Sequence, residues 1–458
     1  MVMVSTNPAC GYKVLGEVNE STPEEIESKF NLAYNAQQAW YDIGIDERLE
    51  YLSKFREAFI AKKGELSKLI AQEMGMPIKH SLPNFDRAIA YIDWSINHAK
   101  EHLTPETSFE DDKEVNLVIR EPLGVVACIS PWNFPASNFV WACFQALIAG
   151  NTVVFKNSEE VQLFAKELEV IFQEADFPEG VFNVVYGDVK AAQKLISCDI
   201  DLICFTGSTA VGQILYKQAA EKFIPAVLEM GGSDPAIIFE DADIENAVNG
   251  VFVGRFSNCG QVCCSSKRLI VHESCHDEVV QKLLNIINSK IIGDPLDEQT
   301  DIGPLAAKRQ LDLLKEQVED ARSKGATIAS YNKDLSHLSG AFYKPTIITE
   351  VTPDMRVWHE EVFGPVLAVV KFSNYDGAIQ KANDTIYGLG ASVFTKDKEL
   401  GKQASKDIKA GMVKVNQTTY SKPSNPFGGC KFSGIGRENG KYGFHDVTQI
   451  KVVALDKS

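Results

Sequence analysis

The first part of the chain carries a helical pattern of apolar and polar positions. Ser21, Thr22 and Pro23 stand ahead of EEIESKFNLAYNAQQAW, the cap-then-proline grammar of a helix start. A second helical run covers Glu47 to Gly75, and a third spans roughly Asn84 to Glu101. TPETSFEDDK is a polar break, and EVNLVIREP reads as a strand ending at Pro122. From Gly124 the pattern becomes strand and helix in alternation. GVVACIS, TVVFK, VFNVVYG, DLICFTGS, AVLEMGG and AIIFED read as strands, with helices such as FVWACFQALIAG, VQLFAKELEVIFQEA and Ala210 to Lys222 between them. Short nonpolar strands bounded by glycine predict a doubly wound α/β sheet covered on both faces.

After Gly232 a second α/β unit begins. Ala247 to Asn258 reads as a helix leading into GQVCCSSKRLIV, followed by helices near Asp277 to Ser289 and Ala307 to Gly325. Strands recur at TIIT, VLAVVKF, SVFT and MVKVN, and the tail HDVTQIKVVALD reads as one more. The strand near 114–120 and this tail fit neither sheet by simple order, which implies a small extra β element.

Composition narrows the class. With 458 residues the chain can hold two or three domains. A net charge of -16 disfavours nonspecific contact with nucleic acid or an anionic membrane, though it permits a local basic pocket. No apolar run is long enough to span a bilayer, and MVMVSTNPACGYKVLG lacks the pattern of a signal or transit peptide. Ten scattered cysteines, several in apolar runs, read as free thiols in a reducing compartment, so a cytoplasmic location is expected.

The candidate chemistry starts at NCGQVCCSS. A polar turn before a strand places Cys263 at the lip of a sheet, where a thiolate could be reached and could form an acyl thioester. Most cysteines in such chains are inert core residues, so the signal is weak alone. Glu229, in VLEMGGSDP, is either a cap or a base for activating water. Asn133, in SPWNFP, follows a strand and could donate to an oxyanion, or the prolines could merely make a turn. FTGSTAVG puts Ser208 near a helix N-terminus, a seat for a pyrophosphate, but matches neither common Gly-rich fingerprint. Lys156 with Glu159 is a ribose-binding pair or plain surface charge. HESCH, with His272, Cys275 and His276, lacks a second cluster, and no metal is expected.

Taken together, PWNFP at 131–135, FTGST at 205–209, LEMGG at 228–232, GQVCC at 260–264, EEVFGPV at 360–366 and PFGGCKFSGIGRENG at 426–440 resemble the aldehyde dehydrogenase superfamily. The resemblance spans essentially the whole chain, and the interval from Glu229 to Cys263 is the family's interval between base and nucleophile. It implies NAD(P)-dependent oxidation of an aldehyde to its acid. Cys263 would be the nucleophile, Asn133 an oxyanion donor and Glu229 the base. Trp132, Lys156, Glu159, Thr206, Gly207, Ser208, Gly231, Glu361 and Phe363 would hold the cofactor. Glu159, with Glu160 beside it, favours NAD over NADP because it would bond ribose hydroxyls and repel a 2′-phosphate. The implied fold has a cofactor-binding domain from 1–103 and 123–232, a catalytic domain from 233–440, and an oligomerisation element from 104–122 and 441–458. A homodimer or homotetramer is expected.

Within the superfamily, GGSDP and GQVCCSSKR most resemble a bacterial succinate-semialdehyde dehydrogenase subgroup. The chain departs from it where two arginines can read the substrate carboxylate: Trp141 and Ser257 stand there, and Ala142 replaces a common lysine. Lys422 would have to supply the charge, with Arg255 a second candidate. Alternatively Phe134, Trp141 and Phe139 line an apolar pocket for other small aliphatic or aromatic aldehydes. CoA-acylating relatives and a thiol-based redox module are further alternatives. The base Glu229 disfavours the first, the second would show cofactor-independent thiol chemistry and no aldehyde oxidation, and the presence of Cys263, Glu229 and Asn133 disfavours a non-catalytic relative.

Overall fold

A computed structural model describes residues 2–418 and 422–458. Among the described residues the strands form four sheets. The first is six-stranded, in the order Gly434–Ile435, Ala226–Glu229, Leu202–Thr206, Val125–Ile129, Thr152–Lys156 and Phe182–Val185. All neighbours are parallel except Gly434–Ile435, which runs antiparallel to Ala226–Glu229. Val125–Ile129 and Thr152–Lys156 are wholly buried, as helices on both faces require. Strand order reverses beside Val125–Ile129, so a crevice opens at the carboxyl ends of that strand and of Leu202–Thr206.

The second sheet has seven strands, in the order Thr327–Ser330, Thr346–Thr349, Val366–Phe372, Ser266–His272, Asp234–Ile238, Gly390–Phe394 and Met412–Val415. The segment Gly231 to Ser233 joins the sheets: it leaves the carboxyl end of Ala226–Glu229 and enters the amino end of Asp234–Ile238. Carboxyl ends of the first sheet thus face amino ends of the second. The third sheet pairs Glu114–Pro122 with both Glu106–Glu110 and Thr448–Asp456. This is the extra β element the tail implied. The fold is therefore α/β, with two doubly wound units and a small β-sheet apart from both.

Several elements depart from the sequence reading. Val2–Asn7 and Lys13–Asn19 form an N-terminal hairpin that the pattern did not announce. The run from Glu47 is two helices, Gly44–Ala61 and Lys63–Met74, because the backbone of Lys62 leaves helical geometry. The next helix starts earlier, at Ile78, and holds Pro83 in its second turn, where the missing N–H forgoes one intrahelical bond. Helices Tyr375–Asn383 and Lys398–Asp407 were not read from the sequence, nor was Gly440–Asp446, which precedes the last strand. Gly434–Ile435 returns to the first sheet from a stretch grouped with the second. The first helix, Pro23–Asp42, begins as its sequence implies: Thr22 and Glu25 form a reciprocal capping box.

Candidate active site

The helix Ile244–Phe256 ends two residues before Asn258, where the sequence pattern placed its end. Asn258 (φ 48) and Cys259 (φ 55) then adopt left-handed backbone, as does Gly260 (φ +71). A Cβ at Gly260 would lie 2.2 Å from the Gly364 carbonyl, so this turn needs glycine. Arg255 holds the turn in place. Its fully buried guanidinium donates to the carbonyls of Val366 (2.7 Å), Val362 (3.0 Å) and Gly260 (3.4 Å), to Gly364, and to Ser265 Oγ. Burial draws its pKa down to about 9. Committed to loop carbonyls, Arg255 is not available to a substrate, which corrects the expectation from sequence.

An amide network ties this turn to the first sheet. Asn133 Nδ2 donates to the Gln261 carbonyl at 3.1 Å, and Asn258 Nδ2 donates to the Asn133 carbonyl at 2.9 Å. Asn138 Nδ2 donates to Asn133 Oδ1 at 3.1 Å, which fixes the orientation of that side chain. Gln261 Oε1 accepts from the Ala306 N–H at 2.8 Å. The Asn133 amide therefore stands two residues from Cys263. Asn138, Asn258 and Gln261 were missed by sequence reasoning, since polar residues in a loop carry no periodicity.

Cys263 and Cys264 are half-buried and free. Their side chains share a hydrogen bond. That shared proton, with the cations Lys414 and Lys267, draws the first ionisation of the pair below the usual cysteine range. The same hydrogen bond, with burial, pushes the second well above it. Lys267 Nζ donates to the Cys263 carbonyl and pairs with Glu361 Oε1 at 2.9 Å.

Glu229 ends its strand buried, and neither carboxylate oxygen has a partner among the described residues. Burial, then the charge of Glu438, pushes its pKa well above the usual carboxylate range. Arg437 opposes this, while Asp446 and Cys264 add to it. Glu438 is itself raised by burial to about 8. An unsatisfied buried acid is costly unless a water or a reacting group completes it.

The other predicted cofactor residues gather at the same junction. Trp132 packs edge-on against Phe363, with ring centroids 5.6 Å apart. Glu361 Oε1 accepts from the Gly232 N–H at 3.1 Å, and a Cβ at Gly231 would sit 2.2 Å from Glu361 Oε2. Thr206 pairs in register with Glu229, and the Gly207 N–H donates to the Glu229 carbonyl at 2.9 Å. Ser208 is the N-cap of the helix Thr209–Lys222, its Oγ accepting from the Val211 N–H at 3.4 Å. Lys156 ends its strand buried, its Nζ 3.9 Å from Glu159 Oε2, and burial lowers its pKa. These residues fit a dinucleotide: glycines leave backbone accessible, a helix N-terminus faces the crevice, and a carboxylate pairs with a lysine at a strand end. One contact was not foreseen. Arg309, on the helix Lys308–Ser323, bonds Glu159 Oε1 and Glu160 Oε1, each at 3.0 Å. Burial raises Glu160, whereas for Glu159 its own backbone N–H, Lys156 and Arg309 outweigh burial and lower it.

Phe134, Asn138 and Trp141 rise from the start of the helix Pro135–Ala149 on one stripe. Trp141 packs on Phe427 (4.9 Å between centroids) and Tyr91 (5.2 Å), and its buried Nε1 has no partner among the described residues. Phe427 adjoins Gly428, which lies against the Glu229 carboxylate, so this aromatic wall flanks Glu229. Phe139 instead lies in the core, 5.7 Å from Phe55 and 5.5 Å from Phe155. It points away from the wall because it is two places from Trp141 on a helix, which corrects its assignment to the pocket. Ser257 stands at the C-cap of Ile244–Phe256, ahead of the turn that leads to Cys263. Lys422 is exposed. At HESCH, His272 Nδ1 meets Ser274 Oγ at 2.7 Å and His276 Nδ1 meets Asp277 at 2.7 Å.

The profile of the Aldehyde dehydrogenase family matches residues 2–453. The chain belongs to that family and is an NAD(P)-dependent aldehyde dehydrogenase. It is 37% identical over 451 residues to aminoaldehyde dehydrogenase 1, peroxisomal, of Pisum sativum, covering 96% of this chain and 90% of the relative. It is 33% identical over 452 residues to a probable succinate-semialdehyde dehydrogenase [NADP(+)] of Sinorhizobium fredii, covering 98% and 92%. An NAD-dependent aldehyde dehydrogenase from Sinorhizobium meliloti superposes with a TM-score of 0.95 at 34% identity, over 100% of this chain and 91% of that one. These relatives are named for different substrates, so they do not support one substrate subgroup.

Proposed function

We propose that the protein oxidises a small aliphatic aldehyde to its carboxylic acid through a thioester on Cys263. The observation that carries this reading is Glu229. It is a buried carboxylate with neither oxygen partnered among the described residues and it feels the charge of Cys264, while the Asn133 amide bonds the loop two residues before Cys263. The Cys263 thiolate adds to the aldehyde carbon, and the new alkoxide is held by Asn133 Nδ2 and the Cys263 N–H. A bound nicotinamide supplies the acceptor for the hydride that leaves this carbon, giving the thioester. Glu229 then takes a proton from water, the hydroxide adds to the thioester carbonyl, and the thiolate departs. A raised pKa suits a base that must both take and release a proton.

The aromatic wall of Trp141, Phe427 and Tyr91 favours a far end that is apolar or cationic. The pea relative's name, aminoaldehyde dehydrogenase, agrees with that. Succinate semialdehyde is the second reading, supported by the Sinorhizobium fredii relative's name and by the positive charge of Lys422. NAD is proposed as the preferred cofactor, with NADP accepted. The edge strand Thr448–Asp456 exposes Ile450, Val452 and Leu455, which supports a homodimer or homotetramer built on it. Ten free cysteines support a cytoplasmic location. The test is kcat/KM for 4-aminobutanal, butanal, benzaldehyde and succinate semialdehyde with each cofactor, plus mass by light scattering. Selectivity for succinate semialdehyde over both butanal and 4-aminobutanal would overturn the first substrate reading.

A further inference from the structure

Strand Ser266–His272 begins two residues after the thiol pair, and its alternation sends consecutive cations to opposite faces. Arg268 turns to one side and donates to the carbonyls of Ser233 (2.9 Å), Lys381 (2.8 Å) and Ala382 (2.8 Å). Lys267 turns into the active site with its side chain only 1% exposed. A buried ammonium must be neutralised by specific partners. Its partners are the carbonyl of Cys263 and the carboxylate of Glu361, at 2.9 Å, and it lies 5.7 Å from the centre of the Phe363 ring. Glu361 in turn is seated by the Gly232 N–H and crowded by Gly231.

We propose that Lys267 is a positioning residue that locks the nucleophile loop to Glu361, so that one ammonium serves both the reactive thiols and the cofactor seat. The claim rests on the proposed roles of Cys263 and Glu361. Lys267 touches both from a strand, which fixes it more firmly than a loop would. The other charged groups facing the thiols are Lys414 from Met412–Val415, Asp234 from its own strand, and Glu229 beyond Cys264. Lys414 is itself held by the Thr418 carbonyl at 2.9 Å. Glu361 competes with the thiols for the charge of Lys267. Removing the lysine therefore makes the pair less acidic, and removing the Glu361 charge makes it more acidic. A residue that merely packs the loop would not give opposite signs.

The experiment is the pH dependence of iodoacetamide alkylation on the cofactor-free full-length enzyme, with NAD affinity measured by calorimetry. Lys267→Met is expected to move the alkylation inflection to higher pH and Glu361→Gln to lower pH, while Lys267→Arg stays near wild type. NAD affinity is expected to fall about tenfold in Lys267→Met, the scale of one charge-assisted hydrogen bond. A wild-type alkylation profile in folded Lys267→Met overturns the proposal, as does a shift of both variants in one direction. If Lys267→Met does not fold, an unshifted or upward profile in Glu361→Gln overturns it instead. Opposite shifts in a wild-type enzyme that oxidises no aldehyde would remove the dehydrogenase role of the site and leave the Lys267 link standing.

Discussion

The carboxylate of Glu229 lies directly against Gly428: a Cβ at that glycine would come within 2.5 Å of Glu229 Oε1. The proposed base is thus shaped by a loop some two hundred residues away in sequence. Gly428→Ala is expected to push the carboxylate aside and slow thioester hydrolysis at least about tenfold, or roughly 1.4 kcal/mol of barrier. Cysteine acylation does not need that group. Stopped-flow traces should therefore keep a full burst of reduced cofactor and lose the steady-state phase. Glu229→Gln should show the same split in stronger form. Loss of the burst in Glu229→Gln would mean that the carboxylate acts before hydrolysis.

The same carboxylate sets a pH dependence. Burial and Glu438 raise its pKa, so its base form accumulates only as pH rises through that elevated value. The thiol pair ionises first, aided by Lys414 and Lys267. Turnover should then climb with pH while burst amplitude stays flat. Glu229→Gln should abolish the climb, and a burst rising in parallel with wild-type turnover would count against this order.

For the nucleophile, Cys263→Ala should abolish oxidation and leave NAD binding intact. Cys264→Ala should keep substantial activity but shift upward the pH at which alkylation begins, because the pair's first ionisation loses the hydrogen bond that lowers it. An inactive Cys264→Ala beside an active Cys263→Ala would exchange the roles.

How legible this site was in the sequence depended on how each residue earns its place. Cys263, Glu229 and Asn133 lie in contiguous motifs at strand ends, so the sequence alone could nominate them as candidates. Arg255 was misread because a sequence shows a charge but not its direction, and here four backbone carbonyls claim it. Lys267 and Arg309 were missed because their meaning comes from partners about a hundred residues away or more. The alternating core of both sheets was plain in the pattern. The N-terminal hairpin was not, since its buried positions are Ser5, Asn7 and Val18 while Val2, Val4 and Val14 are exposed. Helices Tyr375–Asn383 and Lys398–Asp407 bury only two residues each, too few to set a clear period.

Glu73 offers a stability test away from the chemistry. Its buried carboxylate accepts from Ser5 Oγ (2.7 Å) and from the N–H groups of Leu163 and Phe164 (both 3.0 Å) at the start of a helix. Burial outweighs these bonds and raises its pKa from 4.5 to about 7. The folded state therefore holds this proton more tightly than the unfolded chain. That contribution is complete below the unfolded value and is lost as pH rises through the folded one, an effect of roughly 3 kcal/mol at most. Glu73→Gln should flatten part of the fall in Tm between about pH 5 and pH 8. An identical slope in the variant would show that Glu73 is not a source of it.

Arg309 gives a test of cofactor choice. It bonds Glu159 and Glu160 from the far side of the crevice, neutralising the charge that would repel a 2′-phosphate. Arg309→Ala should lower kcat/KM for NADP about tenfold, the scale of one charge-assisted bond, with little loss for NAD. Equal losses with both cofactors would assign Arg309 to holding the helix Lys308–Ser323 against the first sheet.

The substrate end of the site sets two side chains against each other. Trp141 presents a wall with Phe427 and Tyr91 beside the base, while Lys422 is exposed. A cation over a desolvated indole gains about 2 kcal/mol, roughly thirtyfold in kcat/KM. Trp141→Ala should then cost 4-aminobutanal more than butanal, because butanal loses only apolar contact. A charge-assisted bond from Lys422 to a distal carboxylate would contribute roughly 1.5–3 kcal/mol. If succinate semialdehyde is the true substrate, Lys422→Ala should lower its kcat/KM about 10- to 100-fold and spare butanal. The proposed reading expects the reverse order: a clear loss for 4-aminobutanal in Trp141→Ala and almost none for any aldehyde in Lys422→Ala. A large, carboxylate-selective loss in Lys422→Ala, with Trp141→Ala neutral toward 4-aminobutanal, would move the assignment to succinate semialdehyde. Equal losses across the panel in Trp141→Ala would instead mean that removing the indole disturbs Gly428 and the Glu229 carboxylate behind Phe427. The burst phase separates that case, since a displaced base leaves the burst intact and a lost substrate contact lowers its rate.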